Sequence, residues 1–158
     1  MLADLQQADI EALLARYGLM LVMQADDEPI TGSFWGDSEA GIVGHTVYAR
    51  RDTPLHSLLH EASHTVCMSA ERRKSLHKDA GSDDLEEMAV CYLQILLADE
   101  FPEVGRGKLM ADMDAWGYSF RLGSAARWFA EDAEDALNWL ISKKIVDASG
   151  LPTFALRR

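Results

Sequence analysis

The sequence predicts an α+β fold in a single domain that comprises residues 1–158. With 158 residues, the chain is long enough for one domain with a core and too short for two ordinary domains. Short apolar segments rich in β-branched residues are confined to the first third, whereas the apolar spacing is mostly helical from residue 53 onward. Because strands and helices are segregated along the chain, the pattern is typical of an α+β domain.

The first third is predicted to contain one helix and a small sheet of about three strands. Apolar residues recur at helical spacing over residues 3–17, and Gly18 follows as a stop signal. The strand candidates are the segments "LMLVMQ", "ITGSFW" and "IVGHTVYAR", which are separated by the turn-forming sequences "ADDEP" and "GDSEAG".

The remaining elements are predicted to be helices. Thr53 is a candidate N-cap and Pro54 suits the first turn, so a helix is expected to begin there and to end near residue 70. Asp83, with Glu86 three residues later, resembles a capping box and predicts a second helix that ends near residue 100. Further helices are predicted in "KLMADMDAW" and over residues 124–145.

Composition argues against several classes of partner. The net charge of -11 disfavours nucleic acids and anionic membranes, because both attract clusters of Lys and Arg. No apolar run approaches the ~20 residues that span a bilayer, and the acidic N-terminal segment does not resemble a signal peptide. We therefore expect a cytoplasmic protein. Two cysteines, Cys67 and Cys91, are too few for a disulfide framework and are predicted to be buried thiols.

The sequence "HEASH" at residues 60–64 has the spacing of a zinc site on a helix. His60 and His64 are one turn apart on the same face, so both imidazoles can reach one ion. Glu61 lies about 100° around the helix, where it can hold a water next to the ion instead of being a ligand. The apolar arc of this helix lies roughly opposite the two histidines, which leaves their face available for a site.

A third metal ligand is predicted in the second helix, where Glu86 and Glu87 are adjacent. Glu86 shares its face with the apolar stripe, whereas Glu87 shares its face with Cys91 and Gln94. A buried carboxylate is costly unless it is paired or bound to a metal, so Glu86 is favoured and Glu87 remains the alternative. A capping-box role would also explain Glu86.

These residues resemble a minimal zincin metallopeptidase of the gluzincin type, which combines an HExxH helix with a downstream Glu. The segment "EEMAVCYLQILL" is similar to the second helix of that family, with Glu86 as ligand, Ala89 three residues later and then the pair Leu96 and Leu97. The order of sheet, zinc helix and ligand helix also resembles small bacterial repressor-cleaving peptidases. This resemblance covers about residues 40–100, and residues 103–158 would form a helical C-terminal extension.

The resemblance implies a zinc-dependent metallopeptidase with Zn²⁺ as cofactor and a peptide or protein as substrate. Zn²⁺ held by His60, His64 and Glu86 would acidify a water whose proton Glu61 accepts. The segment "IVGHTVYAR" would lie beside the cleft, where an extended peptide can pair with it.

Two alternatives remain open at this point. The first is a zincin-fold domain that keeps the metal for a structural or partner-binding role with little turnover. The second is a metal-free helical interaction domain in which the motif arose by chance. Tyr118, His77 and Tyr92 are the candidates for stabilising an oxyanion. His56 is predicted to have a capping or surface role, because a third ligand one full turn before His60 does not reach the same tetrahedral ion.

Overall fold

The structure is a computed structural model that describes residues 1–33, 38–74 and 83–158. A small sheet near the N-terminus is followed by helices, which confirms the predicted α+β class. The strands are β1 (Met20–Met23), β2 (Gly41–Val43) and β3 (Thr46–Ala49). The α-helices are α1 (Gln7–Arg16), α2 (Leu55–Cys67), α3 (Ala70–Lys74), α4 (Asp84–Leu97), α5 (Gly105–Ala115), α6 (Ala125–Glu131) and α7 (Glu134–Ser142).

The sheet has the strand order β1-β3-β2, with β1 parallel and β2 antiparallel to β3. The prediction of one strand for "IVGHTVYAR" is wrong, because the chain turns at Gly44 with a φ of +60° and forms the β2–β3 hairpin. β3 is paired on both sides, so an added peptide strand could pair only with β1 or β2. In "ITGSFW", residues 30–33 form no strand, and residues 34–35 lie outside the described part.

β2 is held against residues 31–33 by a very close backbone approach. A Cβ atom added at Gly41 would lie 2.1 Å from the carbonyl oxygen of Thr31 and 2.4 Å from the backbone nitrogen of Ser33. Next to it, the backbone nitrogen of Ala40 donates a hydrogen bond of 2.9 Å to Ser57 Oγ on α2. The absence of a side chain at Gly41 therefore allows β2 to lie directly against residues 31–33.

We expect Gly41→Ala to lower the free energy of unfolding by about 2 kcal/mol or more, since the methyl group would displace backbone atoms. Gly107→Ala is the matched control, because Gly107 lies in α5 and nothing stands within 4 Å of its added Cβ. The control should be more stable than wild type by about 0.5–1 kcal/mol from helix propensity. Urea unfolding measures both, and a Gly41→Ala protein as stable as wild type would contradict this account.

α2 is the central helix of the domain. It packs against β2 and β3 on one side and against α4 on the other, and α4 in turn packs against α7. Leu58, Leu59 and Val66 of α2 and Leu93 of α4 are fully buried in this core. The two helices that carry the candidate ligands are thus the most enclosed elements of the fold, which favours precise positioning of their side chains.

The predicted helix ends agree with the structure at some positions and not at others. Asp83 is confirmed as the N-cap of α4, because its Oδ1 accepts a 2.8 Å hydrogen bond from the Glu86 backbone nitrogen. The N-cap of α2 is Pro54 instead of Thr53. The single long helix expected over residues 124–145 is wrong, because the backbone at Asp132 and Ala133 leaves the helical conformation and separates α6 from α7.

Residues 153–158, here called the C-terminal strap, lie against the end of α2. The Arg157 backbone nitrogen donates to the carbonyl of Val66 at 2.9 Å, and the Arg157 Nη1 donates to the carbonyl of Cys67 at 3.2 Å. Arg73 of α3 donates to the carbonyls of Thr65 and Arg157, so α3 is fastened to both segments. These contacts connect the strap to the helix of the HExxH motif.

Two other predictions concern the chain as a whole. Cys67 and Cys91 are free and buried, as predicted. Within residues 1–33, 38–74 and 83–158, no helix combines the length and the apolar character needed to cross a membrane.

Candidate metal centre

α2 and α4 bring His60, His64 and Glu87 together. The two Nε2 atoms are 3.1 Å apart, His60 Nε2 is 3.3 Å from Glu87 Oε1, and His64 Nε2 is 3.2 Å from Glu87 Oε2. One ligand atom from each residue fits within a 4.8 Å span. The three side chains therefore converge on one point between the helices.

The structure corrects the choice between the two adjacent glutamates. Glu86, which the helix period favoured, does not face the histidines; its carboxylate accepts hydrogen bonds from Arg72 Nη1 at 2.8 and 3.0 Å and from Arg157 Nη1 at 3.1 Å. Glu86 is 3% exposed, so two arginines, and not a metal, compensate its burial. Glu87, kept as the alternative, is the glutamate at the histidine pair.

Gln94 fixes the orientation of the His60 ring. Gln94 Nε2 donates to the backbone carbonyl of His56 at 2.8 Å, which can only accept, so Gln94 Oε1 must be the atom 3.0 Å from His60 Nδ1. His60 Nδ1 then carries the hydrogen, and in the neutral ring the lone pair is on Nε2, the atom next to His64 and Glu87. This arrangement is typical of metal-binding histidines, whose second nitrogen donates to a protein oxygen.

The donor set and the spacing of the two imidazoles suit a zinc ion. Zinc ligands at about 2.0–2.1 Å and tetrahedral angles place neighbouring donor atoms about 3.3 Å apart. Here the two Nε2 atoms are 3.1 Å apart, and the Glu87 carboxylate approaches each of them through a different oxygen, Oε1 at 3.3 Å from His60 and Oε2 at 3.2 Å from His64. Two imidazoles and a carboxylate are also a donor set that zinc accepts when one position is left for water or substrate. The residues present therefore fit Zn²⁺ by their chemistry, and one ligand atom from each lies within a 4.8 Å span.

Without a metal, the surroundings of His60 and Glu87 favour an ion pair between them. Burial lowers the pKa of His60, but interactions with Cys91 and Glu87 outweigh it and raise this pKa well above the ordinary value. Burial raises the pKa of Glu87, and hydrogen bonds with His60 and His64 outweigh it and hold this pKa well below the ordinary value. These two directions favour a protonated His60 imidazole beside an ionised Glu87 carboxylate, and a metal that binds the same atoms competes with that proton.

His60 opens onto a cleft of about 320 Å³. Glu61, the predicted general base, lines the same cleft, as does Tyr118 from the segment after α5. Ala40, the residue immediately before β2, also lines the cleft. The cleft therefore brings together a candidate base, a hydroxyl group and the approach to an edge strand beside the candidate metal ligands.

Of the three oxyanion candidates, the structure brings Tyr118 to this cleft. Its ring centroid is 5.6 Å from that of His60, and burial raises the pKa of its hydroxyl, which keeps it protonated at neutral pH. Tyr92 stacks on Phe129 with centroids 4.5 Å apart and does not line the cleft. His77 lies outside the described residues.

His56 is not at the surface, in contrast to the prediction. It is 2% exposed, its Nδ1 is 3.4 Å from the Tyr118 hydroxyl, and its ring lies edge-on to Trp116 with centroids 4.9 Å apart. Burial lowers the pKa of His56 to about 4, so it is neutral at physiological pH. His56 is therefore a wall of the cleft that supports Tyr118.

Gln94 and Trp116 are site residues that the sequence did not single out. The sequence held one signal for Gln94, a polar residue in an apolar helix on the face that carries Glu87, and the structure shows that this side chain is fully buried. A buried amide needs hydrogen-bond partners, and here they are His60 and His56. The same reasoning applied to the sequence would have favoured the face of Glu87 over that of Glu86.

Comparisons with family models, with curated proteins and with solved structures find no match for this chain. The resemblance to a zincin peptidase therefore stays a prediction. The chemistry open to this chain follows from the geometry of His60, His64 and Glu87 and of the cleft beside them.

Proposed function

We propose that this protein is a zinc-dependent peptidase whose metal ligands are His60, His64 and Glu87. The observation that carries the proposal is the convergence of two Nε2 atoms and one carboxylate at 3.1–3.3 Å, beside a cleft that also contains Glu61. Both parts are needed, because the ligands alone would equally suit a structural metal. The cleft next to them is what favours catalysis.

A bound Zn²⁺ supplies Lewis acidity, which lowers the pKa of water and polarises a peptide carbonyl. The Glu61 carboxylate accepts the proton of the attacking water and then delivers it to the amine nitrogen of the leaving group. The Tyr118 hydroxyl, which remains protonated at neutral pH, donates a hydrogen bond to the oxygen that gains negative charge. Gln94 keeps the His60 lone pair directed at the metal position.

The proposed substrate is an extended polypeptide. β2 is an edge strand, and Glu39 and Ala40 lead from it directly into the cleft. A peptide paired with an edge strand gains main-chain hydrogen bonds that do not depend on its sequence. We expect pairing at β2 instead of β3, since β3 has no free edge. A cytoplasmic location is retained as a prediction.

Zinc content tests the metal centre directly. Wild type reconstituted at neutral pH and dialysed should retain about one equivalent of zinc, and His60→Ala should retain below about 0.1 equivalent because only two ligands remain. His45→Ala is the matched control, since His45 is exposed in the β2–β3 turn. Elemental analysis by plasma mass spectrometry gives the stoichiometry. A wild type that retains no zinc, or a His60→Ala protein that retains a full equivalent, would overturn the proposal.

A further inference from the structure

A second pocket of about 460 Å³ adjoins the cleft of the candidate metal centre. The two cavities share His56 and Trp116 as wall residues. Its volume is within the range of sites that hold a side chain or small ligand. The pocket is here called the side pocket.

Part of the wall of the side pocket is apolar. Leu5 comes from the segment before α1, Leu55 from the first turn of α2, and Val104 from the segment before α5. Trp116 closes the side towards the cleft and is 47% exposed, which is unusual for a tryptophan within a folded domain. A bound hydrocarbon stem would cover this surface and remove it from water.

Carboxylates surround the apolar walls. The side pocket is lined by four acidic side chains and, among the described residues, by one lysine. Asp52 is paired with Arg50 and Asp112 with Lys108, while Asp4 contacts the N-terminal amine at 3.4 Å. Glu103 has no ion-pair partner in the described part of the chain. The negative potential is therefore only partly neutralised.

An apolar channel with an exposed indole and an uncompensated carboxylate suits a ligand with a hydrocarbon stem and a cationic head. The stem packs on Leu5, Leu55 and Val104, and the head interacts with the Trp116 ring face and with Glu103. Neither an acidic nor a purely apolar side chain satisfies both surfaces. Lysine and arginine are the amino acids with this chemistry.

We propose that the side pocket binds a lysine or arginine side chain of the polypeptide substrate, close in sequence to the bond that lies at the metal centre. This inference rests on the proposed peptidase function and adds to it a preference for basic substrates. The overall charge of -11 acts in the same direction, because it attracts basic segments before they reach the pocket.

Binding of three matched peptides to the zinc-reconstituted Glu61→Gln protein tests the inference without turnover. The probes are acetyl-Gly-Ala-X-Ala-Gly-amide, with lysine, norleucine or glutamate at X. Norleucine keeps the stem and removes the charge. The readout is the NMR signal of the Trp116 indole N–H, assigned with Trp116→Phe. The lysine peptide should shift this signal and bind about fivefold more tightly than the norleucine peptide, with the glutamate peptide weakest.

Variants of Glu103 separate its charge from its bulk. Glu103→Gln in the same background should lower the preference for lysine over norleucine about threefold, and Glu103→Lys should abolish it. Glu134→Gln, at an exposed acidic position on α7, is the control and should leave the preference unchanged. Equal affinity for lysine and norleucine, no shift of the Trp116 signal with any peptide, or indifference to Glu103→Lys would overturn the inference.

The two proposals fail in different ways. If the lysine peptide binds as expected while wild type cleaves no peptide, the side pocket is supported and the peptidase function is wrong. If wild type cleaves peptides with no preference for basic residues and all three probes bind equally, the peptidase function is supported and the side pocket inference is wrong.

Discussion

Glu61→Gln is expected to abolish peptide hydrolysis while the protein keeps its zinc. The amide has nearly the same size as the carboxylate but cannot accept a proton, and loss of a general base typically slows a reaction by about 10²–10⁴-fold. Glu61 is not among the three converging ligands, so the zinc content should stay at that of wild type. This combination of a full metal complement and lost turnover distinguishes a general base from a ligand.

The measurement is a comparison of new peptide termini in a denatured cytosolic extract incubated with each protein. Wild type should generate termini that Glu61→Gln does not. Glu134→Gln is the control, because Glu134 is exposed on α7 and does not line the cleft, and its activity should stay within about threefold of wild type. Identical profiles for wild type and Glu61→Gln would indicate a metal with a structural or partner-binding role, which was the alternative open from the sequence.

Glu86→Gln and Glu87→Gln are expected to have opposite effects on metal binding and stability. Glu87→Gln removes one of three protein ligands, and its zinc affinity should fall by more than the 10–100-fold typical of an outer-shell change. Glu86→Gln leaves His60, His64 and Glu87 in place and should bind zinc as wild type does. It does, however, remove the charge that pairs with Arg72 and Arg157.

In the absence of metal, Glu86→Gln should therefore lower the free energy of unfolding more than Glu87→Gln does. Glu86 is almost fully buried, whereas the two arginines are partly exposed and can be hydrated, so a loss of about 1–3 kcal/mol is expected. Thermal unfolding with and without zinc measures both properties. Zinc at 100 times its dissociation constant should stabilise wild type and Glu86→Gln by about 2.7 kcal/mol and leave Glu87→Gln nearly unchanged. If Glu86→Gln loses zinc and Glu87→Gln retains it, Glu86 is the third ligand, as the helix period predicted.

The local patterns in the sequence predicted α2, α4, the Asp83 cap and the pairing of His60 with His64 on one face, because each depends on neighbours within a few residues. The choice of Glu86 failed for a physical reason. The periodicity showed that this side chain is buried, but burial does not identify what compensates the charge. The compensating residues, Arg72 and Arg157, are 14 and 71 positions away, and no helical period connects either of them to Glu86.

Long-range packing also decided the other differences. His56 was expected at the surface because its neighbours in sequence do not reveal that Trp116 and Tyr118, about 60 residues later, cover it. Gln94 was overlooked because its partners lie on α2. The sequence predicted His60, Glu61 and His64 as residues of the candidate site and kept Glu87 as an alternative. The residues that form the walls of the cleft could be identified only from the tertiary structure.

The C-terminal strap has a consequence for the order in which the protein folds. Contacts between α2 and α4, such as those of Gln94, join residues separated by 34 and 38 positions, whereas Arg157 reaches Glu86 and Cys67 across 71 and 90 positions. Closing the longer loops costs more chain entropy, and contacts of low sequence separation tend to form first. We therefore expect the histidines and Glu87 to meet before the strap docks. The strap would then slow the opening of a metal centre that has already formed.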